Sequence, residues 1–526
     1  MKVSSIIHKI EFGIILCCCS FPVFSNTDPI DGYLSSFSVK KGHDIGLYIS
    51  TPSPTYNVQL YHLGAHQRLL QVIKSVPGSN YSTVGSAVNR WEGANWSNPL
   101  QIHISNDWPS GLYKVVAGTD YSSRVLNFSV KESNPGSKSK ILLLDNATTN
   151  SAYNNWGGKS LYTFNSSSNI KAFKVSLLRP GQNISLRQQK EFISWAETMN
   201  IPIEHASMLD LHDNPLLLSH YDTVVLAGHS EYWSRSMRNS YDKFVKNGGN
   251  AVILSGNTMW WQVRLSGNQM VAYKNNATSD PQFGKNNSLV TTNWSSNIVN
   301  DPENSSTGVS WRNGGYVNSQ GFLPASKGYG GYTVTDASNW VFKGTNLKNG
   351  DILGQKDTIV GYETDGALFD WVNGAPVVTG EDGTPLNFDI LGYSPAETSR
   401  GSGNATMGIF SLPNGGSIFN ASTVDWADGL WDLSKSSIAD KSISQITYNI
   451  LSRFSTSVVP APVPLPNTIY LLISALLFII KPTYVRAILM SHFPIIWFNP
   501  SRLCAMCSGS TVASFFSIRS TDNVRI

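Results

Sequence analysis

The apolar positions of this chain follow two different periods, and the change between them falls near residue 135. From about residue 31 to residue 131, apolar and polar side chains alternate in short segments that turn-forming residues separate. Examples are residues 46–50, 57–62, 101–105 and 111–116. Alternation with a period of two is typical of strands with one buried face. We therefore predict a β-sandwich of immunoglobulin-like size over residues 26–135.

Short apolar runs and helical patterns alternate after residue 136. Residues 140–144, 222–227 and 250–255 are apolar runs, whereas residues 187–199 and 234–246 carry apolar side chains on one helical face. Ser234 is a candidate N-cap for the second helix. Buried strands that alternate with helices predict an α/β domain with a parallel sheet over residues 136–455. Within it we expect a mostly β stretch over 272–420 and a closing helix over 445–454.

Both ends of the chain differ from this domain pattern. Lys2 and Lys9 precede an apolar stretch, which predicts a secretory signal peptide over residues 1–25. A Pro-rich linker over residues 456–466 leads to an apolar segment at 467–485, whose apolar run is shorter than the roughly 20 residues that span a bilayer. This segment resembles the PEP-CTERM type of bacterial sorting signal, in which it is a processed anchor. Residues 486–526 form a tail that fits neither a domain nor such a signal.

The composition narrows the class of protein. Charged residues make up 14% of the chain and the net charge is +4, with no long basic run, so nucleic acid is not an expected partner. The cysteines lie only at residues 17–19, 504 and 507. The predicted domains therefore have no disulfide, thiolate metal site or cysteine nucleophile. Low charge with abundant Asn, Ser, Gly and aromatic residues indicates an extracytoplasmic protein. Together with the resemblance to a bacterial sorting signal, this predicts a protein that is secreted or associated with the cell surface or outer membrane of a bacterium.

Polar and aromatic side chains follow three of the predicted strands, at residues 152–160, 228–233 and 256–258. Ligands bind at this carboxyl edge of parallel strands. Ser230 beside His229 is a weak nucleophile candidate, because neighbours cannot readily share a nucleophile–base hydrogen bond and no Gly-x-Ser-x-Gly elbow is present. A carboxylate pair for glycoside cleavage, Glu231 with Asp145 or Asp210, stays open, but no spacing selects it.

A metal site fits these donor types better. Glu231 is a hard oxygen ligand, and His229 could bind a metal or transfer protons. Tyrosine phenolates need a strong Lewis acid, since the pKa of tyrosine is about 10. Ferric iron suits hard anionic oxygen ligands, and it would acidify water and polarise an amide carbonyl. Core packing is the alternative explanation for each aromatic residue.

Four strings of the chain resemble the large (β) subunit of N,N-dimethylformamidase and its relatives. They are residues 152–162, 176–180, 227–233 and 248–258. The resemblance extends over most of residues 100–455. It implies a β-sandwich followed by an α/β domain resembling class I glutamine amidotransferases. It also implies one mononuclear iron ion (Fe3+) per chain, held by two tyrosines and a glutamate.

The resemblance also assigns individual residues. By motif, the glutamate ligand is Glu231 and one tyrosine ligand is Tyr153. The second tyrosine ligand is assigned to Tyr113, in the Ser-Gly-Leu-Tyr string. His229 and Asn257 match catalytic positions. His229 or Glu231 would relay the proton, and Asn257 would orient the substrate or the oxyanion.

The leading hypothesis is an exported, surface-sorted, iron-dependent amidohydrolase that acts on a C–N amide bond. Its substrate would be a small amide or a polymer, and export disfavours dimethylformamide itself. The C-terminus predicts attachment to a membrane or the cell surface, while a homo-oligomer and the family's small partner subunit stay open. The alternative hypothesis is a non-catalytic surface module that binds glycan or another polymer in an aromatic crevice.

Overall fold

The computed structural model describes residues 29–81, 89–181, 186–316, 330–398, 401–430 and 441–458. The predictions for the signal peptide, the apolar sorting segment and the C-terminal tail lie outside these residues, as does nearly all of the Pro-rich linker. Within the described ranges, no helix is long and apolar enough to cross a membrane.

Two facing sheets form the sandwich that the alternating sequence predicts. Its eight strands are β1 (Asp31–Leu34), β2 (Ser38–Lys40), β3 (Asp44–Ser50), β4 (Thr55–Leu63), β5 (Arg68–Pro77), β6 (Leu100–His103), β7 (Gly111–Gly118) and β8 (Ser123–Lys131). The strand orders are β1-β3-β6 and β2-β8-β7-β4-β5. Alternate residues of β4, such as Val58 and Leu60, enter one core together with Leu47 of the other sheet. The predicted boundary at residue 135 stays a prediction.

A large mixed sheet follows the sandwich. The elements of this part of the chain, up to residue 256, are β9 (Ile141–Leu144), α1 (Ala147–Tyr153), β10 (Lys174–Ser176), α2 (Arg187–Thr198), β11 (Glu204–Ala206), α3 (Met208–Asp213), β12 (Thr223–His229), β13 (Tyr232–Ser234), α4 (Arg235–Lys246) and β14 (Asn250–Gly256). Strands β9, β12 and β14 pair in parallel, as the apolar runs predict. Their side chains are buried almost without exception, because helices cover both faces of this sheet.

Both predicted amphipathic helices are present, as α2 and α4, and each buries its apolar face in a core. Phe192 and Trp195 of α2 share a core with the closing helix, whereas Met237 and Phe244 of α4 lie in the core on the opposite face. Ser234 caps α4, since its hydroxyl accepts a hydrogen bond from the Met237 amide.

The regular elements of the remaining described residues are mostly strands, as predicted for 272–420. Its elements are β15 (Trp261–Ser266), β16 (Gln269–Val271), α5 (Asn304–Thr307), β17 (Ser310–Tyr316), β18 (Tyr332–Val334), β19 (Ile352–Leu353), β20 (Glu363–Gly366), β21 (Phe369–Val372), β22 (Ala375–Val378), β23 (Asp389–Thr398), β24 (Gly401–Ser411), β25 (Ser417–Asn420) and the closing helix α6 (Lys441–Phe454). Short 3-10 turns lie at Arg90–Glu92, Trp156–Gly158, Ser167–Asn169, Leu217–His220, Lys274–Ser279, Asn287–Leu289, Trp340–Phe342, Gln355–Asp357 and Trp426–Gly429.

The topology brings distant parts of the chain to one sheet. The order is β11-β9-β12-β14-β25-β24-β23-β17-β20, with β18 and β19 attached to β23. The strands from β11 to β25 run parallel and those from β24 onward pair antiparallel. A smaller sheet, β10-β16-β15-β13, and the hairpin β21-β22 complete a mixed α/β fold. Leu63 and Leu112 of the sandwich pack into the core that holds α2.

Candidate metal centre

The centre begins where β12 ends. Gly228, the second-last residue of β12, adopts a φ of 87°, which favours glycine, and it precedes His229 and Glu231. The Glu231 amide donates to the Thr149 hydroxyl oxygen at 2.9 Å, and the Glu231 carbonyl accepts from the Trp261 amide at 2.9 Å. These backbone bonds to α1 and β15 fix the Glu231 side chain, which is buried.

Two tyrosines converge on the Glu231 carboxylate. The Tyr153 hydroxyl, at the end of α1, donates to Glu231 Oε2 at 3.0 Å, and the Tyr162 hydroxyl lies 2.9 Å from both carboxylate oxygens. The two phenol oxygens are 2.9 Å apart, and their rings stack with centroids 4.3 Å apart. Burial, and then the Glu231 charge, raises the pKa of both phenols well above the usual value. Both side chains are therefore protonated donors in the metal-free protein.

The spacing of these three oxygens suits a small, highly charged cation. Neighbouring ligands of an octahedral ion with bonds of about 2.0–2.1 Å lie about 2.9 Å apart. The oxygens of Tyr153, Tyr162 and Glu231 have this separation, at 2.9 and 3.0 Å. All three donors are hard and anionic once deprotonated, so the set fits ferric iron. Among the described residues, no cluster of three His, Cys, Asp or Glu side chains forms a metal site, so this set depends on the tyrosines.

A second carboxylate, Glu363 at the start of β20, meets the end of β12. His229 Nε2 lies 2.7 Å from Glu363 Oε2 and 3.5 Å from Glu231 Oε2. Burial alone lowers the pKa of His229, but the Glu363 and Glu231 carboxylates outweigh it and raise the pKa to about 9. Burial likewise opposes the charge of Glu363, yet His229 holds its pKa below the usual value. The result is an imidazolium–carboxylate pair beside Glu231, whose own pKa burial raises.

Asn257 reaches the same carboxylate from the end of β14. Its amide Nδ2 donates to Glu363 Oε2 at 3.3 Å, whereas its buried Oδ1 accepts no hydrogen bond from the described residues. Asn257 adopts a φ of 50°, in the left-handed region, and Asp365 Oδ2 accepts from the next amide, Thr258, at 3.1 Å. The turn therefore presents an amide side chain beside the His229–Glu363 pair.

Lys274 approaches the centre from behind Tyr162. Its Nζ lies 3.2 Å from the centroid of the Tyr162 ring and 2.8 Å from the Tyr232 hydroxyl. Burial lowers the pKa of this lysine to about 7, although the Glu231 charge acts in the opposite direction. A buried amine therefore lies against the ring of Tyr162, the second tyrosine of the centre.

The structure brings Tyr153, His229, Glu231 and Asn257 together but leaves Tyr113 elsewhere. Tyr113 lies in the sandwich core, where its hydroxyl donates to the Pro109 carbonyl at 2.7 Å. The Ser-Gly-Leu-Tyr string is an ordinary strand of the sandwich, so the assignment of Tyr113 as second tyrosine ligand is corrected.

Sequence reasoning missed Tyr162, Glu363 and Lys274. Tyr162 ends the first string quoted for the resemblance, so the signal for it was present. Glu363 carries no local motif. It reaches His229 because β20, the last strand of the antiparallel extension, also packs against the end of β14, where a Cβ on Gly256 would clash with the Glu363 carbonyl. The two candidate partners of Glu231 in glycoside cleavage, Asp145 and Asp210, form hydrogen bonds with other groups. Asp145 accepts from Ser207 and backbone amides, while Asp210 completes the N-terminal cap of α3.

The fold and the centre define a mixed α/β protein with a buried, oxygen-rich site at a sheet edge. The chain belongs to the N,N-dimethylformamidase beta subunit-like family, whose C-terminal model matches residues 57–439. This match begins inside β4 and includes every residue of the centre.

Solved structures similar to this chain include a ThuA-like protein from Parabacteroides merdae. It is 15% identical, covers 63% of this chain and 94% of its own, and has a TM-score of 0.26. A complex of Dpr2 immunoglobulin domains with DIP-Theta is 13% identical, covers 23% of this chain and 41% of its own, and has a TM-score of 0.13. No curated protein matches the chain. The likeness to glutamine amidotransferases stays a prediction.

Proposed function

We propose that this protein is an iron-dependent amidohydrolase that cleaves a C–N amide bond. The observation that carries the proposal is the convergence of the Tyr153, Tyr162 and Glu231 oxygens at separations of 2.9 and 3.0 Å. Family membership supports it, because the resemblance implies mononuclear iron held by two tyrosines and a glutamate. Here Tyr162 takes the place that Tyr113 held in the sequence prediction.

The three ligand residues would hold one ferric ion per chain. Bound there, iron would supply Lewis acidity that polarises the amide carbonyl and acidifies water. The two phenols must lose their protons on binding, so metal affinity should increase with pH.

The other residues have separate tasks in the proposed reaction. The Glu363 carboxylate holds a proton on His229 Nε2 at 2.7 Å, which makes His229 the proton donor to the leaving nitrogen. Glu231 lies 3.5 Å from the same Nε2, close enough to exchange a proton with it after small movements. Asn257 Oδ1, which accepts no hydrogen bond from the described residues, is available to a substrate N–H, and the Asn257 amide group orients the substrate carbonyl.

Iron content tests the proposal. The full-length wild-type protein should bind one iron per chain and absorb as a tyrosinate–iron complex. Tyr153→Phe and Tyr162→Phe should each lose most of the iron, since each removes one oxygen ligand. Tyr113→Phe is the matched control, because that buried tyrosine lies in the sandwich core, and it should retain iron. A wild-type protein without iron, or a Tyr162→Phe variant with unchanged iron, would refute the proposal.

Export and surface attachment are part of the same proposal. The apolar N-terminus and the Pro-rich linker with its apolar segment support them. Fractionation of expressing bacteria should place the protein outside the cytoplasm, and deletion of residues 467–485 should release it from the cell surface. The substrate would then be an amide outside the cytoplasm.

One observation favours the alternative, a non-catalytic polymer-binding module. Four aromatic rings adjoin Glu363 in a row, with centroids 5.5 to 5.8 Å apart; they are Trp260, Trp311, Tyr316 and Tyr362. The Tyr316 hydroxyl lies 3.2 Å from Glu363 Oε1, so this row borders the same centre. Binding to a glycan array by metal-free protein, without release of an amine from any amide, would favour this function instead.

A further inference from the structure

Arg179 is a fully buried cation close to the tyrosine ligands. It follows strand β10 and belongs to the string 176–180 of the family resemblance. Among the described residues it forms no ion pair with a carboxylate. All the hydrogen bonds of its guanidinium that the described residues accept go to backbone carbonyls.

These carbonyls belong to the segment that carries the tyrosines. Arg179 Nη2 donates to the Ser151 carbonyl at 3.1 Å and to the Asn154 carbonyl at 2.7 Å, so its two acceptors enclose Tyr153. Arg179 Nη1 donates to the Lys159 carbonyl at 3.3 Å, between Tyr153 and Tyr162. The last carbonyls of a helix lack partners within it and favour a cation, and the end of α1 uses Arg179 in this way.

The fourth acceptor lies in a different part of the chain. Arg179 Nη1 donates to the Trp91 carbonyl at 2.9 Å, in the turn Arg90–Glu92 that precedes β6. This turn packs tightly on the tyrosine segment, because a Cβ on Gly157 would lie 2.5 Å from the Trp91 amide. The Lys159 amine also lies over the Trp91 ring, at 4.6 Å from its centroid.

We propose that Arg179 is a positioning residue that holds Tyr153 and Tyr162 at the spacing needed to bind a metal ion. It does so by joining the end of α1, the loop 154–161 and the Trp91 turn through one planar guanidinium. A lysine cannot replace it, because an ammonium is a compact point charge that cannot reach four separated carbonyls. This inference rests on the proposed function for its purpose, but its structural part can be measured without metal.

Arg238 provides a matched control. It is also a buried arginine that donates to backbone carbonyls, those of Asp301 and Pro302, and it forms ion pairs with Asp242 and Asp301 as well. It lies on α4, and these contacts do not include the tyrosine segment. Arg179→Met and Arg238→Met should therefore both destabilise the full-length protein. Only Arg179→Met should alter the tyrosines.

The test measures ferric iron affinity by chelator competition and amide hydrogen exchange in the metal-free protein. Loss of a residue that orients metal ligands typically weakens metal affinity about 10–100-fold. We expect this loss, with faster exchange confined to residues 150–162, in Arg179→Met and Arg179→Lys but not in Arg238→Met. Guanidinium ion should partly restore iron binding to Arg179→Ala. Wild-type affinity and exchange in a folded Arg179→Met protein would overturn the inference.

The result of the Arg179 test can be distinguished from the result of the iron-binding test of the proposed function. If the wild-type protein binds no iron, the proposed function fails, and exchange at residues 150–162 alone decides the role of Arg179. If the Arg179 variants do not fold, Gly157→Ala tests the same contact, because its Cβ displaces the Trp91 turn. Unchanged exchange at residues 150–162 in Gly157→Ala would then count against the inference.

Discussion

The His229–Glu363 pair should make the stability of the metal-free protein fall as pH increases from about 6.5 to about 9. His229 has a pKa of about 9 in the folded protein, against 6.5 ordinarily, and its side chain is 21% exposed. A raised pKa in the folded state stabilises the fold fully below the unfolded value, and this contribution is lost as pH rises through the folded value. At about 1.4 kcal/mol per pH unit, the loss amounts to about 3 kcal/mol.

The perturbation is the double variant His229→Gln with Glu363→Gln, which replaces the ion pair by two amides. Glu363 itself contributes no slope in this pH window, because its pKa is below the usual value in the folded protein. Its stabilising contribution is lost only at acid pH, as pH falls through that lowered pKa. Lys274 makes the free energy of unfolding increase with pH, because burial lowers its pKa to about 7 in the folded protein. This lysine is present in both proteins.

Urea unfolding at pH 6 and pH 9.5, with a chelator present, gives the free energy of unfolding for both proteins. Between these two pH values, the free energy of unfolding of the wild-type protein should fall by about 3 kcal/mol more than that of the double variant. Parallel pH dependences for the two proteins would refute the assignment of a protonated His229.

Three further predictions concern the packing of Gly256, the cap of α4 and the ionisation of the tyrosine ligands. Gly256→Ala should destabilise by about 1–3 kcal/mol, because its Cβ would clash with the Glu363 carbonyl of β20, whereas Gly118→Ala, with no atom nearer than 3.6 Å, should be tolerated. Urea midpoints compare the two, and an equal loss would contradict the close approach of β14 and β20. Ser234→Ala should cost about 1 kcal/mol in the same assay, since it removes the cap of α4. Iron affinity should rise between pH 6 and pH 8, because two phenols ionise on binding, and a flat profile would count against phenolate ligands.

Local patterns were sufficient to predict the elements with long apolar runs. The runs at 140–144, 222–227 and 250–255 became β9, β12 and β14, because a strand covered on both faces needs apolar side chains at every position. The helical faces at 187–199 and 234–246 were equally clear. The order of the antiparallel extension was not predictable, because its pairings join strands that are distant in sequence.

The candidate centre likewise contains residues that the sequence predicted and residues that it did not. His229, Glu231 and Asn257 lie at the ends of adjacent parallel strands or just beyond them, so a local rule brings them together. Tyr162 follows a loop whose Asn154 and Lys159 carbonyls accept hydrogen bonds from the buried Arg179, and periodicity does not predict such contacts between distant residues. Tyr113 was mistaken for a ligand because a short string cannot distinguish a core tyrosine from one at a site.

Anomalous diffraction at the iron absorption edge, from crystals of iron-loaded protein, tests the central claim most directly. One peak per chain is expected, at about 2.0–2.2 Å from the oxygens of Tyr153, Tyr162 and Glu231. No peak there, or a peak bound by other residues, would contradict it.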